Sequence, residues 1–301
     1  MFWLFVEATS ARPLKVQAMQ VRLLSGSHVV RTTNVSADGV RDVTIVPPLT
    51  PRLLDGRPSP TPIFWPLAIR IRCTEPAAAN IDSIAIELQC SDNGKIVRSM
   101  CVLPVEVYQQ ATSLVYPFKG KAVITQAGVT NGGHKNRSGQ FALDAVGLDD
   151  GYGVNVPNGG RKSEDYAGWG RTLIAPAAGT IVRARADRPD QPDPENSDPN
   201  FYAPEYPHGG DPGNHLVIDH GHNEFSMMAH FQAGSMQVKV GDQVLQGQPL
   251  GKLGSSGDTN TPHSHYQLQS GPDWEWSDGL PCKFSNVHES PLVRGVFFDA
   301  E

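Results

Sequence analysis

Two histidines separated by a single residue, His263 and His265, are the side chains whose type and spacing most directly indicate chemistry in this sequence. On a β-strand, residues two positions apart project from the same face, so we expect the two imidazoles to lie side by side. Neutral imidazole is a common metal ligand and a common proton acceptor near neutral pH. A lone His-x-His pair is a weak signal, because two surface histidines have the same spacing.

The residues before this pair predict a compact stack of short strands that would hold it in place. Gly241 and Gly247 mark two tight hairpins, and the run Gly254–Gly257 is a glycine-rich turn. Nine of the ten histidines follow residue 119, so we expect a site in the second half of the chain.

From about residue 119 to residue 290, the chain resembles the lysostaphin-type zinc metallopeptidases, which cut peptide bonds in bacterial peptidoglycan. The landmarks occur in the order typical of that family. They are His134, Phe141–Asp144, Ala175–Val182, Gly213–Gly221, Ala229–Phe231 and Val238–Leu268.

The resemblance implies one Zn²⁺ per chain, held by His134, Asp144 and His265, with His230 and His263 as the catalytic histidines. Three N or O ligands with an open fourth position are typical of a catalytic zinc, which lowers the pKa of water to about 7. The sequence has no His-Glu-x-x-His motif, so it offers no zincin-type glutamate base. The two unligated histidines would therefore transfer the protons, since the pKa of imidazole suits that task.

Three features depart from the family pattern. Nine residues separate His134 from Asp144, more than in the most compact members. Ser264 stands between the paired histidines, where the family usually has leucine, and Met228 stands where it often has an aromatic residue. None of these departures removes a donor atom, so we expect altered packing or substrate contacts with the chemistry retained.

Other residues that attract attention have mainly structural interpretations. We expect turn or packing roles for four further histidines, and we assign two tryptophans either to a substrate groove or to a loop anchor. An asparagine close to His134 could contact a substrate carbonyl. These residues are His208, His215, His220, His222, Trp274, Trp276 and Asn131.

The composition predicts a mainly β protein. The chain has 301 residues with 30 Gly and 25 Pro, and only 19% are charged, which argues against both a helical bundle and a disordered chain. The net charge of −6 provides no general field for nucleic acid, and no apolar run reaches the 18 to 20 residues of a transmembrane segment. The family resemblance implies a peptide or peptidoglycan partner, and the sequence gives no prediction of oligomeric state.

The pattern divides the chain into two predicted domains. Residues 1–115 predict an N-terminal β-sandwich-like module of unknown function, because 67–73 and 83–90 alternate apolar and polar residues. By the resemblance, residues 116–301 are expected to form a small two-sheet β peptidase domain, with long insertions at 149–170 and 187–213 as groove walls. Its predicted strands are 180–186, 215–219, 225–231, 236–240, 249–253 and 264–268.

The cysteines and the hairpins leave alternatives open. Cys73 and Cys90 lie on the apolar stripes of their predicted strands, so we expect either two buried thiols or a disulfide between them. The sequence has no CxxC motif that would indicate a thiolate metal site. The hairpins also resemble biotinyl and lipoyl carrier modules, but Lys252 is not at a hairpin tip as such a module needs.

The predicted function is a zinc metalloendopeptidase acting on stem peptides or cross-bridges of peptidoglycan. Its alternative is a non-catalytic wall-binding or regulatory relative of the same fold. By the resemblance, an extracytoplasmic location is expected, although no complete signal peptide is visible.

Overall fold

The computed structural model divides the chain into two compact units, residues 1–109 and residues 110–301. None of the helices in the described part of the chain could span a membrane. The structure describes residues 2–6, 14–35, 44–45, 53–54, 57–58, 67–71, 80–105, 108–128, 134, 138–154, 162–193, 195–206, 210–274 and 277–301.

The first unit is built around an antiparallel sheet in which Leu14–Ser25 and Ser83–Asp92 are the central strands. Ile86, Leu88 and Cys90 alternate with less buried residues, which is why this segment forms a strand with one face against a core. Cys90 is a free, buried thiol, and Cys73 lies outside the described residues. The strands are Phe2–Val6 (β1), Leu14–Ser25 (β2), His28–Val35 (β3), Thr44–Ile45 (β4), Leu53–Leu54 (β5), Arg57–Pro58 (β6), Leu67–Ile71 (β7), Ser83–Asp92 (β8) and Lys95–Pro104 (β9).

The second unit is also built from β-strands, joined by loops that contain only single turns of 3₁₀ helix among the described residues. These turns are Ser138–Phe141, Ser163–Asp165 and Pro199–Phe201. The strands are Gly120–Ala127 (β10), Leu143–Gly147 (β11), Thr172–Ile174 (β12), Gly179–Arg185 (β13), His215–Asp219 (β14), Phe225–Ala229 (β15), Gln243–Val244 (β16), Pro249–Lys252 (β17), Ser264–Gln269 (β18), Gly279–Leu280 (β19) and Phe297–Ala300 (β20).

The strands of the second unit form one large antiparallel sheet and one small sheet. The order in the large sheet is β16-β13-β14-β15-β18-β11-β10-β20, with β19 paired to the end of β18, and the small sheet pairs β12 with β17. The prediction of a mainly β fold is therefore confirmed. Strands β18 and β11 lie in the middle of the large sheet, where ladder bonds hold each of them on both sides.

One face of the large sheet packs on an aromatic cluster. Tyr116 makes edge-to-face contacts with Phe298 and Phe284 at centroid distances of 4.8 and 5.0 Å, and Phe284 contacts Tyr266 at 5.1 Å. Such contacts are favourable beyond the burial of apolar area. Tyr266 alternates with His265 along β18, so the histidine projects from the opposite face of the sheet.

Two of the predicted strands differ from the structure. The prediction of a strand at 236–240 is wrong, because none of these residues is buried and Lys239 forms a turn with Asp242 instead. Strand β15 ends at Ala229, two residues earlier than predicted, so His230 lies just beyond it.

Candidate metal centre

The register of the central strands places Asp144 beside His265. In the antiparallel pair β11–β18 these two residues are direct partners, and Ala229 of β15 is the partner of His265 on its other side. Directly opposed residues project from the same face.

Three donor groups converge at this point. The Nδ1 atom of His265 lies 2.9 Å from Oδ1 of Asp144, and Nε2 of His134 lies 3.1 Å from Oδ2. The ligand atoms of the three residues all lie within 4.8 Å of one another. Two imidazoles and one carboxylate are the N and O donors that zinc accepts in sites with an open position, so the chemistry of the donor set fits that ion.

The electrostatics of the cluster favour a negative charge on Asp144. Burial alone would raise the pKa of this carboxyl, but the imidazoles of His134 and His263, and the close polar contacts that His134 and His265 make with it, outweigh that effect. The pKa therefore lies well below its usual value of 3.8. An ionised carboxylate is the form that binds a metal.

His230 and His263 lie beside this cluster, with ring centroids 4.6 Å apart. His263 precedes β18 and projects on the same side as His265, so that its Nε2 lies 3.6 Å from Oδ1 of Asp144. The ring centroid of His230 is 6.0 Å from that of His265. All five histidine and aspartate residues singled out in the sequence are thus brought together, while their individual roles stay predictions.

The Nδ1 atoms of the two flanking histidines both face backbone carbonyl groups. The distance is 2.8 Å from His230 to the oxygen of Ser256 and 2.7 Å from His263 to that of Thr261. A carbonyl oxygen can only accept, so each Nδ1 carries hydrogen and donates it. In the neutral ring, Nε2 then has the free lone pair, which can accept a proton.

His230 is held in a rare backbone conformation. Its φ angle is +62°, in the left-handed region that few residues other than glycine adopt. Its amide donates to the carbonyl of Pro212, and its ring is fixed by Ser256. Burial, followed by the charges of His263 and His265, lowers the pKa of His230 well below 6.5, so the ring is neutral at pH 7.

The turn that carries Ser256 is packed tightly against Gly213. A Cβ atom at residue 213 would lie 2.3 Å from the Ser256 carbonyl oxygen, and the φ of Gly213 is +60°. Only glycine fits both the contact and the angle. The hydroxyl of Ser256 also accepts from the amide of Asn214 and donates to the carbonyl of Phe231, which ties the turn to both neighbours.

The insertion at 187–213 lies against the same turn. The carboxylate of Asp190 accepts hydrogen bonds from the amides of Ser255 and Ala233, at 2.8 and 2.9 Å. Asp258 accepts from the hydroxyl of Tyr202 and the amide of Gly210. The insertion therefore supports the loop that orients His230.

The remaining sequence candidates occupy structural positions or lie outside the described residues. The ring of His220 bonds to the Ala178 carbonyl and the Ser226 hydroxyl, while Nδ1 of His215 faces the Gly213 carbonyl. His222 has a φ of +56° in a turn. Trp274 stacks on Tyr206 with centroids 5.9 Å apart and packs on the sheet beside Met227. Asn131, His208 and Trp276 are not described.

Sequence reasoning missed the groups that orient the histidines. The carbonyls of Ser256 and Thr261 carry no side-chain signal, so no residue pattern could have identified them. Gln267, whose Oε1 lies 3.1 Å from Nε2 of His265, did leave a signal. It continues the two-residue spacing of His263 and His265 along a strand that is buried throughout.

Residues 161–275 match the sequence model of peptidase family M23. This match confirms the family resemblance predicted from the sequence and supports a peptidase function. It includes His230, His263 and His265, whereas His134 and Asp144 precede it. No curated protein is significantly similar to the chain.

Several solved structures are similar to part of the chain. The catalytic domain of lysostaphin from Staphylococcus simulans is 18% identical over 54% of this chain and 88% of its own, with a TM-score of 0.29. A variant of the catalytic domain of a prophage-encoded M23 protein from Enterococcus faecalis is 16% identical over 58% of this chain and 92% of its own, with a TM-score of 0.30. A zinc-containing peptidase from Vibrio cholerae is 14% identical over 67% of this chain and 57% of its own, with a TM-score of 0.31. Likenesses with TM-scores this low carry no functional argument.

Proposed function

From the match of residues 161–275 to peptidase family M23, we propose that the chain is a zinc-dependent endopeptidase that hydrolyses peptide amide bonds in bacterial peptidoglycan. One observation carries the proposal. Two histidines with a free Nε2 lone pair lie beside three donors whose ligand atoms are within 4.8 Å of one another. Stem peptides and cross-bridges are the proposed substrates, and the proposed location is therefore extracytoplasmic.

In this proposal His134, Asp144 and His265 hold one zinc ion. The bound ion would supply a Lewis acid that polarises the scissile carbonyl and lowers the pKa of water to about 7. The carboxylate of Asp144 also lies 3.6 Å from Nε2 of His263, so it can stabilise that ring when it becomes protonated.

The two flanking histidines move the protons. The Nδ1–H of His230 is bonded to the Ser256 carbonyl, so the lone pair on its Nε2 is the one that can take a proton from the attacking water. The proton removed from the attacking water is the one that the leaving amine nitrogen needs when its C–N bond breaks, and His263, whose ring centroid lies 4.6 Å from that of His230, is placed to pass it on. The carbonyls of Ser256 and Thr261 keep both rings oriented throughout.

The test combines zinc binding with peptidoglycan digestion by the full chain. Zinc content would be measured by competition with a chromophoric chelator, and fragments released from purified sacculi would be identified by mass spectrometry. His265→Ala should lose most of the zinc, because one of three ligands is removed. His230→Ala and His263→Ala should keep zinc and lose about 10² to 10⁴-fold in kcat.

The exposed His288 provides a matched control, since its ring contacts Glu301 and none of the five site residues in the contacts described, so His288→Ala should keep both zinc and activity. Loss of zinc from His230→Ala as readily as from His265→Ala would move His230 into the ligand set. A zinc-loaded wild type that binds sacculi but releases no fragment would favour the alternative, a non-catalytic wall-binding relative. Digestion that persists without any bound metal would refute zinc dependence.

A further inference from the structure

Two buried glutamines continue the row of histidines along β18. Gln267 and Gln269 follow His263 and His265 at the same two-residue spacing, so all four side chains project from one face. The exposed fractions of Gln267 and Gln269 are 1% and 0%. A buried amide is costly unless its donors and acceptors are paired, so the partners of these side chains are informative.

The hydrogen bonds of the two amides run in one direction. The carbonyl oxygen of Gly271 can only accept, and Nε2 of Gln269 donates to it at 2.7 Å. The Oε1 of Gln269 therefore faces Gln267 and accepts from its Nε2 at 2.5 Å. This leaves Oε1 of Gln267 as the atom that faces Nε2 of His265, at 3.1 Å.

The direction of these hydrogen bonds determines the tautomer of His265. Because Oε1 of Gln267 is an acceptor, Nε2 of His265 must carry hydrogen and donate it. In the neutral ring, Nδ1 then has the lone pair, and it points at Oδ1 of Asp144 from 2.9 Å. Two acceptors at that distance repel each other unless a positive charge lies with them, which is what a metal ion supplies.

We propose that Gln267 and Gln269 are positioning residues that hold His265 in the Nε2–H tautomer and thereby present Nδ1 to the metal. This inference rests on the zinc site of the proposed function. Gln267 acts directly on the ring, whereas Gln269 acts by fixing which end of the Gln267 amide faces it. Partners of this kind, beyond the ligands themselves, commonly affect metal affinity by 10 to 100-fold.

The test uses near-isosteric variants of the full chain. Gln267→Met fills the same space without an acceptor, so zinc affinity should fall about 10 to 100-fold in a competition titration. Gln269→Met should weaken zinc binding less, because the Gln267 amide can still turn its Oε1 towards the His265 ring in a fraction of the molecules. Gln191→Met is the matched control, since Gln191 is also buried and its amide donates a hydrogen bond to the Gly257 carbonyl instead of facing a proposed ligand. The zinc affinity of this variant should stay within about 2-fold of the wild-type value.

A rescue variant separates hydrogen bonding from packing. Gln267→Glu keeps an acceptor in front of Nε2–H, although Gln269 can then donate either to the new carboxylate or to Gly271 and not to both. Zinc affinity should therefore lie well above that of Gln267→Met. Long-range ¹H–¹⁵N spectra of the zinc-loaded protein should report the Nε2–H tautomer for His265 in the wild type and in Gln267→Glu. Circular dichroism of each variant would check folding independently of metal.

The outcomes separate this inference from the proposed function. The inference would be overturned by unchanged zinc affinity in Gln267→Met, by equal losses of zinc affinity in Gln267→Met and Gln267→Glu, or by an Nδ1–H tautomer of His265 in the wild type. Each of these outcomes would count against it even if the enzyme cuts peptidoglycan. Weaker zinc binding in Gln267→Met with rescue by Gln267→Glu would uphold it, even if no peptide is cleaved. A wild type that binds no zinc would overturn both.

Discussion

The left-handed backbone of His230 leads to a stability prediction that can be isolated from the loss of its side chain. The φ of His230 is +62°, whereas His263 is not among the residues with positive φ. Each histidine would be replaced once by Ala and once by Gly. Both replacements remove the imidazole and its bond to a backbone carbonyl, so they differ only in one methyl group and in backbone preference.

The expected magnitude follows from comparing the two positions. The buried methyl and the greater freedom of glycine in the unfolded chain contribute similarly at residues 230 and 263, so they cancel in the comparison. The cost of a left-handed conformation for a residue with a Cβ is left over, at about 1 to 2 kcal/mol. Relative to Ala, Gly should therefore be about 1 to 2 kcal/mol more favourable at residue 230 than at residue 263.

The assay is urea unfolding of the full chain after chelation, so that metal binding does not contribute. Trp3 and Trp65 would be replaced by Phe in every variant, so that tryptophan fluorescence reports only the second unit. The free energy of unfolding would be obtained for the four variants under identical conditions. The reasoning would be refuted if replacing Ala by Gly changed the free energy of unfolding equally at residues 230 and 263, or if it favoured Ala at residue 230. Either result would mean that the fold does not impose the left-handed conformation on His230.

Three further predictions follow from neighbouring contacts. Asp190→Ala removes the acceptor of the part-buried Ser255 amide and of the Ala233 amide, which water can reach, so urea unfolding should show a loss of about 1 to 3 kcal/mol. A loss below about 0.5 kcal/mol would contradict the contact. Burial lowers the pKa of His215 below 6.5, so as the pH falls the unfolded chain binds a proton at this imidazole before the folded chain does, and the free energy of unfolding decreases below about pH 6.5. His215→Gln should make the free energy of unfolding depend less on pH in this range, and an unchanged dependence would contradict the prediction. Burial raises the pKa of Cys282 to about 12, so iodoacetamide at pH 8 should label the exposed Cys101 and spare Cys282 until the protein unfolds, as peptide mass spectrometry would check.

The local features of the site were predictable because they depend on spacing along one strand. The shared face of His263 and His265 follows from the period of a β-strand, and their strand was predicted within one residue of Ser264–Gln269. The pairing of Asp144 with His265 was not derivable from pattern, because the two residues lie 121 positions apart in the sequence and no periodicity encodes which strands become neighbours. Its prediction depended on the family resemblance.

The errors and omissions have physical reasons as well. The segment 236–240 has the alternation of a strand, but alternation predicts structure only where one face can be buried, and here none is. The left-handed φ of His230 had no sequence signal, because it is imposed by contacts with Pro212 and Ser256 from other parts of the chain. Tertiary context of this kind overrides local preference.

The different settings of the three proposed ligands also have a kinetic consequence. Asp144 and His265 are opposed across a ladder in the middle of the sheet, and their side chains are only 6% and 10% exposed. The side chain of His134 is 25% exposed, and the residue lies on no strand. An ion leaving the site would therefore exchange its bond to His134 with solvent first, so we expect the rates of capture and release, and with them the affinity, to respond to changes at His134.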